Sequence, residues 1–144
     1  MLFLRKSKLG FTLIELMVVV AIIGVLALLG LRLYTGQQQK AKNAVVKANA
    51  GTIQTLIQAE LADTTSADVN AMLIATTETL FEKSGIHIPD GGPQIANGTK
   101  GLVADIGKVY VDYFDTDPGD EHFEINGNGF DDNPVFTISL TARK

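Results

Sequence analysis

The sequence predicts an α+β protein in which one long N-terminal helix, transmembrane at first and amphipathic afterwards, packs against a small antiparallel β-sheet. Three observations lead to this prediction. Residues 11–31 form an apolar run of 21 residues whose only charge is Glu15. A helical pattern of apolar residues then continues to about Ala62. Segments that alternate between apolar and polar residues with a period of two follow near the C-terminal end.

The apolar run is long enough to cross a bilayer. A helix needs about 20 apolar residues to span a hydrocarbon core of about 30 Å, whereas a secretory signal peptide offers an apolar core of only about 7–15 residues. Arg5, Lys6 and Lys8 precede the run, and such basic residues hold a short N-terminus on the cytoplasmic side of a membrane. We therefore expect a membrane-spanning helix that is retained after processing.

Glu15 is the unusual residue of this helix. A carboxylate inside a membrane span costs roughly 2.5–3.5 kcal/mol on insertion scales, so an acid at this place indicates a function and requires a partner. An amine is the partner that we expect.

An amphipathic helix follows the apolar run, so that the whole helix is predicted over residues 11–62. Apolar residues recur there at steps of mainly three and four, which predicts a stripe that a sheet has to cover. The stripe consists of Val45, Ala48, Ile53, Leu56, Ile57 and Leu61, while Lys40, Lys42, Lys47, Gln54 and Gln58 are expected to face water.

Shorter elements are predicted beyond this helix. A turn at residues 63–66 precedes a second helix, with Ser66 as its N-cap and Gly85 at its C-terminal end. Its apolar face consists of Val69, Met72, Leu73, Leu80 and Phe81. Glycine and proline mark turns at residues 89–93 and 97–98. Strands are predicted at residues 109–114, 122–125 and 135–140.

Composition limits the classes of function. The chain has 144 residues, 12 basic and 16 acidic side chains and no cysteine, which fits one small domain and excludes disulfides and thiol chemistry. The excess of acids argues against nucleic-acid binding, because phosphate contacts are made by Lys and Arg. No phosphate-binding glycine loop, zinc-ligand spacing or nucleophile motif is present. We therefore expect a protein that is not an enzyme and has no cofactor; a membrane-anchored enzyme without a recognisable site is the weakest alternative.

One acidic segment offers oxygen ligands. Ca²⁺ takes six to eight such ligands, and this segment supplies carboxylates and amides without following the EF-hand order. Its members are Asp112, Asp115, Asp117, Asp120, Glu121, Asn126, Asn128, Asp131 and Asp132. Two interpretations stay open, a calcium site and a solvated acidic loop.

Residues 8–16, Lys-Leu-Gly-Phe-Thr-Leu-Ile-Glu-Leu, resemble the class III signal of type IV pilins and type II secretion pseudopilins. The resemblance implies that a prepilin peptidase cleaves between Gly10 and Phe11 and N-methylates Phe11. Residues 1–10 would then be a leader, residues 11–35 a transmembrane and assembly helix, and residues 36–144 a periplasmic or surface domain. An ordinary signal anchor with an unrelated glutamate is the alternative reading of the motif.

The resemblance also implies a function. The chain would be a structural subunit of a type IV pilus or pilus-like filament, polymerised through its N-terminal helix, with Phe11 and Glu15 as assembly residues. Its partners would be prepilin peptidase, copies of itself, the inner-membrane assembly machinery and the membrane. The precursor would lie in the bacterial inner membrane and the product in a surface pilus or a periplasm-spanning pseudopilus. A secretion pseudopilin and a membrane-tethered binding module that never polymerises remain alternatives.

Overall fold

The computed structural model describes residues 10–75, 79–99, 105–115, 120–130 and 134–142. Along the chain lie helices α1 (Leu13–Asp63), α2 (Ser66–Ile74) and α3 (Leu80–Ser84), followed by strands β1 (Val109–Phe114), β2 (His122–Asn128) and β3 (Pro134–Thr141). The chain divides into two compact units, Met1–Gln37 and Gln38–Lys144. A long helix with a three-stranded antiparallel sheet packed against its C-terminal part confirms the predicted α+β class.

Helix α1 is continuous through Gly24, Gly30 and Gly36 and contains 51 residues. Its large apolar side chains from Leu13 to Tyr34 are all 46–74% exposed. The first unit therefore presents an apolar surface that nothing in the described chain covers.

The C-terminal part of α1 carries the helical side of the core. Val46, Ala50, Ile53 and Ile57 are fully buried at helical spacing, so the predicted stripe is correct at Ile53 and Ile57. The prediction is wrong at Val45, which is 43% exposed, and at Ala48, which is exposed. The helix faces the sheet through Val46 because β2 carries a glycine opposite it.

Where the sequence predicts one second helix, the structure has two, α2 and α3. The prediction of Ser66 as the N-cap is wrong, because Thr65 caps α2 through a capping box in which its hydroxyl accepts from the Asp68 N–H at 3.3 Å. Helix α2 ends at Ile74 since Ala75 has an extended conformation, with ψ at 148°. Thr79 caps α3, and Gly85, with φ at +64°, ends it as predicted.

The sheet has the order β1-β2-β3. Strand β1 has the predicted bounds, whereas β2 and β3 are longer than expected. The register aligns Val111 with Ile125 and Ile138, and this row belongs to the face that packs on α1, α2 and α3. The opposite face carries a row of Asp112, Glu124 and Ser139.

The edge of β1 that faces away from β2 is covered by two side-chain amides. Val109 donates its N–H to Gln94 Oε1 at 2.9 Å and accepts from Gln94 Nε2 at 2.6 Å. Val111 makes the same pair of bonds with Asn97, both at 2.8 Å. The two carboxamides thus satisfy the backbone groups that a fourth strand would otherwise bind.

A turn before β1 is built around Asp105. Its side chain is 10% exposed, accepts from the Thr99 N–H at 2.8 Å and pairs with Lys108 Nζ at 2.5 Å. Burial alone would raise the pKa of Asp105, but the bonds from Lys108 and Thr99 outweigh it and lower the pKa below its usual value. Asp105 is therefore a structural carboxylate that folding keeps ionised.

Candidate functional site in the N-terminal segment

Gly10 and Phe11 precede helix α1 and are open to solvent. The Phe11 side chain is 86% exposed, and a Cβ placed on Gly10 would meet no atom within 4 Å. Their peptide bond is the one at which we expect cleavage. In the described chain this bond lies outside any helix or strand.

Thr12 and Glu15 form a capping box at the start of α1. The Glu15 Oε2 atom accepts from the Thr12 N–H at 2.9 Å and from the Thr12 hydroxyl at 2.8 Å. The Glu15 N–H donates to Thr12 Oγ1 at 3.3 Å, and the Thr12 carbonyl accepts the first helical bond from Leu16. Two donors that a helix N-terminus leaves without partners are thereby satisfied.

This arrangement gives the Glu15 carboxylate a partner within its own chain. In the uncut chain, residue 11 contributes a peptide N–H rather than an amine, so the amine expected as the charge partner of Glu15 is created only by cleavage. In the described chain Thr12 supplies the hydrogen-bond donors to Glu15, and both the cleavage and the pairing of Glu15 with the Phe11 amine stay predictions.

Thr12 was not singled out from the sequence. The signal that identifies it is the spacing Thr-x-x-Glu over residues 12–15, since Ser or Thr followed three residues later by Glu is the sequence pattern of a capping box. The same pattern also places the start of the helix immediately after Thr12.

The segment that follows has the properties of a membrane span. By length and composition, helix Leu13–Asp63 is long and apolar enough to cross a membrane, with a mean hydropathy of 2.8 over its most apolar 18-residue window. No part of that window is buried in the described structure. In the core helix of a soluble protein, most of such a window would be buried.

A family model described as the prokaryotic N-terminal methylation motif matches residues 5–31. This range contains the basic residues Arg5, Lys6 and Lys8, the Gly10–Phe11 bond, the capping box and the apolar run. The type IV major fimbrial protein FimA of Dichelobacter nodosus is 32% identical over 110 residues. Both findings support a place for this chain in the type IV pilin superfamily.

Similarity to this pilin extends beyond the signal. The FimA match covers 76% of this chain and 64% of FimA. The fimbrial protein EcpB of Eikenella corrodens is 47% identical over 57 residues, which cover 40% of this chain and 35% of EcpB. The chain thus spans less than two thirds of the length of these curated relatives. No solved structure gives a significant match.

Two amide side chains of the acidic segment make hydrogen bonds within the fold. The Asn126 Oδ1 atom accepts from the Thr137 hydroxyl at 2.6 Å, and Asn128 Nδ2 donates to the carbonyls of Thr99 and Asp105 at 3.0 and 3.2 Å. Asp117, Asp131 and Asp132 lie outside the described residues. Among the described residues no three His, Cys, Asp or Glu side chains are grouped to hold a metal. The structure does not test calcium binding, so both interpretations of the acidic segment, a calcium site and a solvated loop, stay open.

Proposed function

We propose that this pilin-type chain is a structural subunit of a type IV pilus. It is inserted in the inner membrane, cut between Gly10 and Phe11 by prepilin peptidase, methylated on Phe11, and polymerised through its N-terminal helix by the inner-membrane assembly machinery. It turns over no substrate, and its product is a filament on the cell surface.

The observation that carries the proposal is the uncovered apolar surface of α1. Its large side chains from Leu13 to Tyr34 are about half to three quarters exposed, and burial of one such side chain is worth about 1.5–3 kcal/mol. Lipid covers this surface while the subunit is in the bilayer. When the subunit leaves the bilayer, the same segments of other copies are an equivalent apolar environment, and a heterologous contact that does not close produces a filament.

The named relatives support a pilus rather than a secretion pseudopilus. Both are called fimbrial proteins, and the similarity to FimA reaches well past the signal motif that pilins and pseudopilins share. A secretion pseudopilin remains the second outcome of the test below.

Analysis of fibres sheared from the cell surface tests the proposed function. We expect electron microscopy to show filaments and mass spectrometry to find this chain in them, beginning at Phe11. A strain with Gly10→Leu should give no such subunit in the fibre fraction. Recovery of the chain only in the membrane, as a processed monomer, would contradict the proposal and favour a tethered binding module. Recovery only together with secretion components would favour the pseudopilus.

A further inference from the structure

The described part of the first unit contains one acid and one base. Among residues 10–37 these are Glu15 and Arg32. Arg32 lies within the uncovered apolar surface of α1, because Leu31 and Leu33 beside it are 62% and 74% exposed. No ion pair of the described residues includes its guanidinium. When other copies cover this surface, an unpaired guanidinium becomes costly, and Glu15 of another copy is the opposite charge that this segment offers.

The last turn of α1, in the second unit, also lacks a counter-ion. It contains Asp63 and no basic residue, although the carbonyl groups at a helix C-terminus already concentrate negative charge there. Lys47 of the same helix is exposed, and its ammonium lies 5.3 Å from the centre of the Phe136 ring. The two ion pairs of the described residues include neither Lys47 nor Asp63. Each of these two charges therefore suits the other one on a second copy.

The spacing between the two charges is nearly the same in both units. Arg32 follows Glu15 by 17 residues, and Asp63 follows Lys47 by 16 residues. At a rise of 1.5 Å per residue, these spacings are about 26 Å and about 24 Å along the helix. If one of two parallel copies is shifted by about 25 Å toward its C-terminal end, its Glu15 and its Lys47 both reach the level of an opposite charge on the other copy.

We propose that the α1 helices of two subunits in the filament pack in parallel with an axial offset of about 25 Å. Glu15 of the shifted subunit then pairs with Arg32 of the partner subunit, and Lys47 pairs with Asp63 of the partner subunit. The two helices have the same direction because both subunits leave one membrane. The offset rests on the proposed function, to which it adds the register between neighbouring subunits.

Other offsets do not serve both units. In the first unit the spacing from Glu15 to Arg32 is the only one between opposite charges among the described residues. In the second unit Lys40 precedes Glu60 by 20 residues and Lys47 precedes it by 13, about 30 and about 20 Å. Either of these offsets moves Glu15 about 5–6 Å away from the level of Arg32.

The contact is heterologous, since one subunit contributes Glu15 and Lys47 and the other contributes Arg32 and Asp63. Each subunit has both sets, so the contact repeats from copy to copy without closing, as a filament requires. Glu15 can serve two cations at once, because a carboxylate has about four lone-pair sites. It accepts from the Arg32 guanidinium, which binds a carboxylate with two parallel hydrogen bonds, and from the Phe11 amine that cleavage is predicted to create.

Pairs of cysteines test the offset, because the natural sequence contains no cysteine. Val45 and Ala62 are exposed and 17 residues apart, so Val45→Cys together with Ala62→Cys brings two thiols to the same level on neighbouring subunits of a fibre. A bis-maleimide that spans about 8–10 Å, the distance between packed helices, should then link the subunits into a ladder of multimers on a denaturing gel. The two thiols of one chain are about 26 Å apart, so the reagent cannot join them.

The matched control combines Thr52→Cys with Ala62→Cys. Thr52 is exposed and lies about two turns beyond Val45 on the same face of α1, which misses the required level by about 10 Å. This pair should give only monomer in fibres prepared in the same way. Equal ladders from the two cysteine pairs, or a ladder from the control pair alone, would overturn the offset.

A charge exchange tests the pair in the second unit without a cross-linker. Lys47→Asp and Asp63→Lys each place like charges together at this offset and should lower the yield of sheared filament about fivefold or more. The double variant restores opposite charges and should recover most of the yield. Lys83→Asp, the same change on an exposed lysine of α3, should leave the yield unchanged. A double variant that assembles as poorly as the single variants would count against the pair.

These results separate the offset from the proposed function. If the natural chain is absent from fibres, the proposed function fails and the offset fails with it. If fibres contain the chain but Val45→Cys with Ala62→Cys gives no ladder, the function stands and the offset is wrong. If a cysteine pair prevents assembly, the charge exchange decides.

Discussion

Val46 of α1 packs directly against Gly127 of β2: a Cβ added to the glycine would lie 2.6 Å from Val46 Cγ1. Two carbon atoms do not lie this close unless the Val46 side chain, the helix or the strand shifts, and both residues are buried. The absence of a side chain at residue 127 therefore sets how closely α1 approaches the sheet.

We predict that Gly127→Ala lowers the free energy of unfolding by about 1–3 kcal/mol, the usual cost of overpacking a core. Denaturation of the full chain in detergent, followed by the signal of the folded domain, measures it. Gly51→Ala is the matched control, because its Cβ meets nothing within 4 Å and alanine favours a helix by up to about 1 kcal/mol. Adding Val46→Ala to Gly127→Ala should recover part of the loss, and strictly additive effects would contradict direct contact.

The mature N-terminus is predicted to be Phe11 with a methylated α-amine. Intact-mass and terminal-peptide mass spectrometry of the purified subunit measures it. Gly10→Leu should accumulate uncut precursor in the membrane, while Gly24→Leu, an equally open glycine within α1, should be cut normally. Met1 retained on subunits of assembled fibres, or a terminus beyond Leu31, would refute the pilin processing route.

Glu15→Ala is predicted to leave cleavage largely intact and to reduce filament formation sharply, because an unpaired amine in an apolar setting costs several kcal/mol. Glu15→Gln separates the two roles of this residue. It retains an oxygen for the Thr12 donors but has no charge, so its assembly should fail as that of Glu15→Ala does. Normal filament yield from Glu15→Gln would assign Glu15 to helix capping alone.

Thr12→Ala is the reciprocal variant. It removes the capping box and leaves the Glu15 charge, so the first turn of α1 should lose about 0.5–2 kcal/mol while filaments still form. The amount of filament sheared from cells that carry Thr12→Ala, Glu15→Ala or Glu15→Gln measures this difference. Loss of filaments as complete as in Glu15→Ala would show that the box, rather than the charge, is required.

Calcium is predicted to leave the melting temperature unchanged at millimolar concentration, relative to chelator. The Asn126 Oδ1 atom already accepts from the Thr137 hydroxyl, which favours the interpretation of the remaining acids as solvated. A calcium site would instead stabilise the folded state by about 2.7 kcal/mol at a hundredfold excess over Kd. Asp112→Asn in the same melts would identify that residue as a ligand if a shift were found.

Acid is predicted to weaken the fold partly through Asp105. Its pKa in the folded state is lowered, so its contribution is complete above its unfolded pKa of about 3.9 and is lost as the pH falls through the lower folded value. Asp105→Asn should cost about 1–3 kcal/mol at neutral pH and flatten the decline of stability below about pH 4. Asp63→Asn, an exposed acid at the end of α1, should retain the decline seen in the natural chain.

The long helix and the strands could be predicted because their signals are local. Strand β1 has its predicted bounds, since its β-branched and aromatic residues need no distant contact to be recognised. Gly85 is similarly evident, because a glycine after an apolar helical pattern is a C-terminal cap.

The remaining features depend on contacts between residues far apart in the sequence. The choice of Val46 over Val45 as the buried residue follows from Gly127, which lies 81 positions away along the chain. The closure of β1 by Gln94 and Asn97 has no periodic pattern, because two loop side chains make it. Within the candidate site, Gly10 and Phe11 were recognised through resemblance and Glu15 first as a charge inside an apolar span, whereas the role of Thr12 required only the capping spacing.

The β1 edge of the sheet is covered in part by a residue that is prone to deamidation. Asn97 is followed by Gly98, and in an Asn-Gly pair the glycine nitrogen readily attacks the asparagine side chain and releases ammonia; asparagine is thermolabile for this reason. Conversion to aspartate would replace the Nδ2 donor with a carboxylate facing the Val111 carbonyl. The fold delays this ageing, because the Gly98 N–H is bonded to the Val109 carbonyl at 3.1 Å. The hydrogen bonds that cover the edge of β1 thus also slow the deamidation of Asn97, the reaction that would uncover it.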